Sequence, residues 1–303
     1  MTSYYRVMLG QKSSYADECI TGGFIGAHYD IDEDLTNHLP DEWRAFNKAF
    51  IPKYLVIRPE KTRVGAGLAC GALWTVAKGI SIGDVVLSPN GHGHYYVGEV
   101  TGGYEYHPDK ILPHRRSVKW SQRQIDRAVI TPELRRSLGS IGTVCNITQY
   151  ANEIDTIIGQ NPEPLPPDIE DPFSFALEAH LEDFLVKNWS NTEFGKDYDI
   201  FELDGVLGKQ LPTDTGPLDI LAISKDKKRL LVVELKKGRA SDAVVGQTLR
   251  YMGFVQEELA DPEQTVLGAI VAYEDDQRIR RALIMTPSIT FYRYQLSFRL
   301  VQN

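Results

Sequence analysis

Gly216-Pro217-Leu218-Asp219-Ile220-Leu221-Ala222-Ile223 and Leu230-Leu231-Val232-Val233-Glu234-Leu235-Lys236 decide the architecture of the C-terminal half of this chain. One acid opens the first apolar run, and a Glu-x-Lys closes the second. The polar segment between them, Ser224-Lys225-Asp226-Lys227-Lys228, is of the kind that joins two strands of a hairpin. Pairing the two runs brings Asp219 and Glu234 to one end of a sheet. Lys236 then shares a face with Glu234, because alternate strand residues point the same way.

These residue types in this order suit hydrolysis of a phosphodiester. Two carboxylates can hold Mg²⁺ (or Mn²⁺), a hard cation that prefers oxygen ligands and keeps several waters. Such a cation neutralises phosphate charge and lowers the pKa of a bound water. A lysine beside it can orient that water or stabilise the developing anion.

Asp219 with Glu234-Leu235-Lys236 resembles the catalytic core of the PD-(D/E)xK nuclease superfamily. Upstream, Glu178-Ala-His-Leu-Glu182-Asp-Phe-Leu185 is similar to the helix that supplies an accessory acid in that superfamily. Downstream, Gln247-Thr-Leu-Arg-Tyr251-Met is similar to the Q-x-x-x-Y helix of its branched- and mismatched-DNA endonuclease branch. One departure is that Leu218 stands between Pro217 and Asp219. The resemblance implies Glu178, Asp219 and Glu234 as metal ligands, Lys236 as the residue that positions or activates water, and Gln247 as an assistant. Glu178 and Glu182 lie four apart, on one helical face. The family pattern, aligned on Leu181 and Leu185, selects Glu178 and leaves Glu182 as a solvated or salt-bridged surface acid. Tyr251, one turn past Gln247, stays open between core packing and site.

The chain has 303 residues, room for two domains of ordinary size. A hydrophobic share of 42% and a charged share of 24% are those of a soluble globular protein. No apolar run approaches the roughly 18–20 residues of a membrane span. Met1-Thr-Ser-Tyr-Tyr-Arg lacks the apolar core of a signal peptide. Cys19, Cys70 and Cys145 are scattered without ligand spacing, so the expectation is a cytoplasmic protein with no zinc site. The net charge of −8 opposes phosphate binding as a whole. Distribution matters more than the sum. Arg115, Arg116, Lys119, Arg123, Arg127, Arg135 and Arg136 form one basic stretch, and Lys236, Lys237 and Arg239 a second beside the proposed site.

Residues 160–172 hold five prolines and four acids without helical or strand period, the composition of a semi-extended spacer. The spacer separates an N-terminal domain, 1–159, from a C-terminal domain, 173–303. The second reads as helix (174–188), strands (197–206), hairpin (218–236), helix (241–259), strand (266–273), short helix (274–284) and a strand pair near 288–301. That order fits a restriction-endonuclease-like α/β domain around a central mixed sheet.

The N-terminal half reads as β-rich, with strands at 83–88, 95–100, 104–106 and 116–120 and helices at 14–21 and 131–138. Gly22-Gly23-Phe24-Ile25-Gly26, Trp74, Gly83-Asp84, Tyr96-Val97-Gly98-Glu99-Val100 and Val118-Lys119-Trp120 together are similar to the EVE and PUA-like β-barrel families, which bind modified bases. The resemblance makes the whole chain an α+β protein, a barrel joined to an α/β domain. A displaced base is held by stacking on aromatic rings and by hydrogen bonds to its edge. Tyr29, Trp74, Tyr104, Tyr106 and Trp120 supply rings, and Asp30 or Asp32 an acceptor, although Trp and Tyr in barrels usually just pack.

The combined expectation is a Mg²⁺-dependent DNA endonuclease resembling modification-dependent restriction enzymes. Its N-terminal domain reads a modified base in double-stranded DNA and its C-terminal domain cuts, as a homodimer by analogy. The alternatives are a repair nuclease for mismatched, branched or flapped DNA, and a nucleic-acid-binding protein without activity.

Overall fold

The computed structural model describes residues 2–159, 181–203 and 206–295. The spacer read at 160–172 and the accessory acid Glu178 lie outside the described residues. Two compact units divide the chain, residues 2–159 in one and 181–202 with 207–295 in the other. Among the described residues no helix is long and apolar enough to cross a membrane.

The first unit is built on six strands: β1 (Tyr4–Val7), β2 (Phe24–Ala27), β3 (Val85–Pro89), β4 (His94–Tyr106), β5 (His114–Asp126) and β6 (Val144–Asn146). Their order across the sheet is β2-β5-β4-β3-β1-β6. All pairs are antiparallel except β1 with β3. The expected closed barrel is not what forms: the described strands make an open path that ends at β2 and β6. Alternation along β3, β4 and β5 gives the sheet two apolar faces. Leu87, Tyr95, Val97 and Ile125 pack on one face with Leu134, Leu138 and Ile154 from α4 (Pro132–Leu138) and α5 (Ala151–Gly159). Val86, Val100 and Val118 pack on the other with Ile25 and Cys19, the latter from α1 (Ala16–Gly22).

Two helices that the sequence reading missed, α2 (Trp43–Ile57) and α3 (Arg63–Trp74), form a cluster of their own around Phe46, Phe50, Tyr54, Ala66 and Leu73. Both break the local rules. Pro52 lies inside α2, where it removes an N–H donor. Gly65, Gly67 and Gly71 interrupt α3, each at a cost of about 1 kcal/mol against alanine. Packing outweighs propensity here. The small residues of α3 let α2 approach closely enough for Asn47 Nδ2 to donate to Gly67 O at 3.1 Å. Thr62 caps α3 by accepting from Gly65 N at 3.1 Å.

Four of the seven residues in the first basic stretch are tied to backbone carbonyls, while Lys119 and Arg127 are exposed. Arg116 is buried and donates to Val76 O (2.6 Å) and Ala77 O (2.7 Å), carbonyls in the π-turn that prolongs α3. Arg115 lies over the Phe24 ring and donates to Leu112 O and Ile111 O. Arg123 and Arg135 likewise tie backbone carbonyls, of Ile158 and Ile130.

The second unit holds helical residues 181–187 (α6), then β7 (Tyr198–Ile200) and β10 (Lys209–Thr213); between them in the chain comes a small pair, β8 (Glu202–Leu203) and β9 (Val206–Leu207), of which Leu203 and Val206 count with the first unit. β11 (Gly216–Ser224), β12 (Arg229–Arg239), α7 (Ala243–Phe254), β13 (Thr265–Glu274), α8 (Gln277–Ile284) and β14 (Ile289–Arg293) follow. The main sheet runs β10-β11-β12-β13-β14, with β7 pairing the far end of β11. It is mixed: β10–β12 are antiparallel, while β13 lies parallel to β12 and to β14. Ile220, Ala222, Leu231, Val233 and Leu235 join Leu181, Leu185, Trp189 and Phe194 in one core. The intervening residues therefore face the other side, that of α7.

Gly268 sets how closely α7 lies on the sheet. A methyl group there would stand 2.7 Å from Met252 Sδ, 2.9 Å from Thr248 Cγ2 and 3.0 Å from Ile289 Cγ1. Gly253, exposed on α7, has no neighbour within 4 Å at the same position. Gly268→Ala is therefore expected to destabilise the second unit by about 1–3 kcal/mol. Gly253→Ala should stabilise it by about 0.5–1 kcal/mol through helix propensity. Calorimetric melting of the full chain reads both, and a Gly268→Ala melting temperature equal to or above wild type would refute the close helix–sheet approach.

Candidate functional site

The hairpin register places the two acids. Ile220 pairs with Val233 and Leu221 with Val232, so one step further Asp219 stands opposite Glu234. Side chains opposite each other on antiparallel strands lie about 4.5–5.5 Å apart at Cβ, and like charges so placed repel. The surroundings answer that repulsion group by group. Lys236 Nζ sits 2.7 Å from Glu234 Oε1, on the shared face expected of alternate residues. Leu235 N donates to Asp219 Oδ2 at 2.8 Å. Gln210 Nε2 donates to Asp219 Oδ1 at 3.1 Å and to Glu182 Oε2 at 2.5 Å, one hydrogen for each carboxylate. Glu182 is only 3% exposed, and its other oxygen meets Lys209 Nζ at 3.0 Å.

Burial, and next the charge of Glu234, push the Asp219 carboxyl well above the ordinary carboxylate range. The Leu235 N–H opposes the rise, Glu182 adds to it and Lys236 reduces it. Lys209, whose charge burial disfavours, is nonetheless held protonated by Glu182 and Asp183.

Gln210 is the functional candidate that the sequence reading missed. It lies on β10 with φ +51°, left-handed backbone that costs a non-glycine residue on the order of 1–3 kcal/mol. Its side chain is 5% exposed and spans two carboxylates, which over-determine the strained conformation. The only local signal was a glutamine inside the short run Lys209-Gln-Leu-Pro212, where proline marks an edge strand. Glu182 is the second correction. It is salt-bridged as expected, but buried against the site rather than on the surface, because Lys209 and Gln210 reach it from β10.

Helix α7 brings the remaining pair alongside. Gln247 Nε2 donates to the Tyr251 hydroxyl at 3.2 Å. Tyr251 is 3% exposed and its hydroxyl lies 3.3 Å from where a Cβ on Gly216 would stand. Burial pushes the phenol up, Gln247 opposes this, and the nearby charges of Glu234 and Asp219 add to it. Of the two readings left open for Tyr251, the structure shows the packed one, with the hydroxyl bonded to Gln247.

Asp219 and Glu234 offer hard oxygen donors from neighbouring strands, a set that fits a divalent cation such as Mg²⁺, which fills its remaining positions with water. Among the described residues no group of three His, Cys, Asp or Glu side chains forms a ligand set.

The six residues read as a base pocket do not form one cluster. Tyr29 and Asp30 line a cavity of about 340 Å³ in the first unit. Trp74 packs on the α2–α3 cluster and donates from Nε1 to Pro40 O at 2.9 Å. Tyr104 accepts from Leu35 N at 3.1 Å and meets His114 Nδ1 at 2.9 Å, and Tyr106 tilts against the His114 ring. Trp120 stands edge-on to Tyr96 and packs on the sheet core. These four, all half-buried, lie outside that cavity and pack on neighbouring side chains.

Residues 5–148, less than half of the chain, match a family model described as a domain of unknown function, DUF8426. No curated protein sequence matches the chain. Among solved structures, the chain is similar to a repair endonuclease from Pyrococcus abyssi at 15% identity and a TM-score of 0.33, over 67% of this chain and 62% of that one. It is similar to EndoMS in a complex with dsDNA2 at 15% identity and a TM-score of 0.35, over 71% and 66%. EndoMS in its apo form gives 14% identity and a TM-score of 0.32, over 71% and 65%. The chain spans less than two thirds of the length of these structures.

Asp219 gives the site a pH signature. Its carboxyl binds protons more tightly folded than unfolded, so between the ordinary and the raised pKa the folded state holds the extra proton. Stability contributed by this group is therefore lost as pH rises through that interval. In chelator, the melting temperature of Asp219→Asn should exceed that of wild type increasingly as pH rises above the ordinary carboxylate range. Melting curves of the two proteins that stay parallel across that range would show that the buried charge conflict does not exist.

Proposed function

We propose that the chain is a Mg²⁺-dependent endonuclease of double-stranded DNA, hydrolysing phosphodiesters in its second unit and reading a modified base through its first. The observation that carries the reading is Asp219 facing Glu234 across the β11–β12 hairpin, with Lys236 on Glu234. Like-charged carboxylates, Glu234 buried and Asp219 half-buried, kept together by hydrogen bonds store an electrostatic conflict that a divalent cation would resolve. Asp219 and Glu234 would hold that cation, with Glu178 as a further ligand by resemblance. When bound, it neutralises phosphate charge and makes a bound water more acidic.

The other residues act around this centre. Lys236, paired with Glu234, presents its ammonium group on the acid face, where it would donate a hydrogen bond to the attacking water or to a phosphoryl oxygen. Glu182 and Gln210 are positioning residues: they keep Asp219 Oδ1 oriented without meeting substrate. Gln247, bonded to Tyr251, would orient the water or a phosphate. The base-reading half is supported by Tyr29 and Asp30 at the cavity of the first unit. Cutting both strands calls for two such centres, hence a homodimer.

The test is cleavage by the full chain of unmodified, 5-methylcytosine, 5-hydroxymethylcytosine, mismatched and flapped duplexes, with Mg²⁺, Mn²⁺ or chelator. Cutting confined to modified duplex and lost in chelator is expected. Asp219→Ala should abolish it, Lys236→Ala should lower it roughly 10²–10³-fold, and Gln210→Ala roughly 10–100-fold. Cutting only at mismatches or flaps would replace the base-reading half with a repair function. Binding without cutting on every substrate would leave a nucleic-acid-binding protein.

A further inference from the structure

The cavity of the first unit is unlike the rest of this acidic chain. Lys12, Arg58 and Lys61 line it, with Asp30 the acid among them. Arg58 is held in place from two sides, by Asp30 Oδ2 at 2.6 Å and by Glu60 Oε1 at 2.6 Å. Behind the wall formed by Ser140, Gly142 and Thr143 lies Arg6, fully buried. Its guanidinium donates to Ser140 O (2.8 Å), Ser140 Oγ (2.8 Å) and Gly142 O (2.6 Å), and among the described residues no carboxylate pairs with it. A buried cation neutralised only by carbonyl and hydroxyl dipoles leaves a positive potential in the adjoining space. The cavity is thus arranged for an anion.

The same lining includes apolar and aromatic side chains. Leu68 and Ala69 of α3, Tyr54 of α2 and the ring of Tyr29 line the cavity, and the Tyr29 hydroxyl is bonded to Thr143 Oγ1. Lys12, Asp30 and Leu112 hold left-handed φ of +52°, +55° and +43° around the same space, conformations that non-glycine residues keep only where their surroundings impose them. A volume of about 340 Å³ sits at the small end of the about 300–1,000 Å³ typical of ligand sites. Cations together with apolar and aromatic side chains in one cavity match a phosphate joined to a heteroaromatic ring.

We propose that this cavity binds one nucleotide, its phosphate met by Lys12, Arg58 and Lys61 and its base laid against Tyr29 and Tyr54. The inference rests on the base-reading proposal only for the source of the ligand, a nucleotide turned out of a strand. The same chemistry would also take a free nucleotide.

Calorimetric titration of the full chain in chelator separates these cases without cleavage. The probes are the four deoxynucleoside 5′-monophosphates, 5-methyl-dCMP, the matching nucleosides, inorganic phosphate, and a five-nucleotide single strand. Saturable one-to-one binding of at least one monophosphate is expected, at least tenfold tighter than its nucleoside and than inorganic phosphate. The double variant K12A/K61A should weaken it at least tenfold, K12R/K61R should restore it, and Asp219→Ala should leave it unchanged. Competition between the bound monophosphate and the five-nucleotide strand assigns the ligand to a strand, and its absence to a free nucleotide; both uphold the site. Failure of every monophosphate to bind at 1 mM, tighter binding of inorganic phosphate than of any monophosphate, or K12A/K61A binding like wild type would each overturn it. If it fails while modified duplex is still cut, the cavity alone is lost and the nuclease reading stands; if monophosphates bind and no duplex is cut, the reverse holds.

Discussion

Two carboxylates facing each other across paired strands are the constraint on which the second unit turns. The register that pairs Ile220 with Val233 leaves Asp219 and Glu234 no way to separate short of slipping the hairpin. A one-residue slip would carry every side chain of the strand to the opposite face and take Ile220 and Ala222 out of the core they share with Leu231 and Val233. Apolar burial of the strand interiors therefore enforces charge repulsion at their ends. Leu235 N–H, Gln210 and Lys236 reduce that repulsion without cancelling it, and the Asp219 carboxyl remains hard to ionise.

The layers around the sheet serve this arrangement. On one side α6 contributes Leu181 and Leu185 to the core and Glu182 to the polar bridge at its edge. On the other, α7 lies close over Gly268 and delivers Tyr251 and Gln247 toward the strand ends. β10, at the sheet edge, supplies Lys209 and Gln210, and accepts strained backbone at Gln210 to do so. The first unit treats its charges differently. Arg6 and Arg116 are buried against carbonyl oxygens, ordering loops and the turn after α3 instead of presenting charge to solvent.

Legibility from sequence followed locality. The hairpin, α7, β13 and the capped helix α4 were readable because each carries its pattern within its own span: apolar runs bounded by turn residues, or Thr131 accepting from Leu134 N beside a proline. Helices α2 and α3 were not, since Pro52 and three glycines contradict helix propensity and only the closeness of the two helices explains them. Glu182 was misplaced for the same kind of reason. Its burial depends on β10 arriving from a part of the chain whose pattern had no reading. The aromatic cage dispersed because tyrosine and tryptophan carry no sign of whether a ring faces a cavity or a core; only Tyr29 of the five rings lines the cavity.

By itself the sequence determined the Asp219 and Glu234-x-Lys236 hairpin and the face these three share, because a strand's two-residue period and a turn are properties of neighbouring residues. Only the tertiary structure decided that Glu182 is buried near Asp219, that Gln210 bridges the two, that the first sheet's path stays open, and that cations gather around the cavity beside Tyr29. Those depend on residues distant in the chain meeting at hydrogen-bond or ion-pair distance, and no local pattern encodes such a meeting.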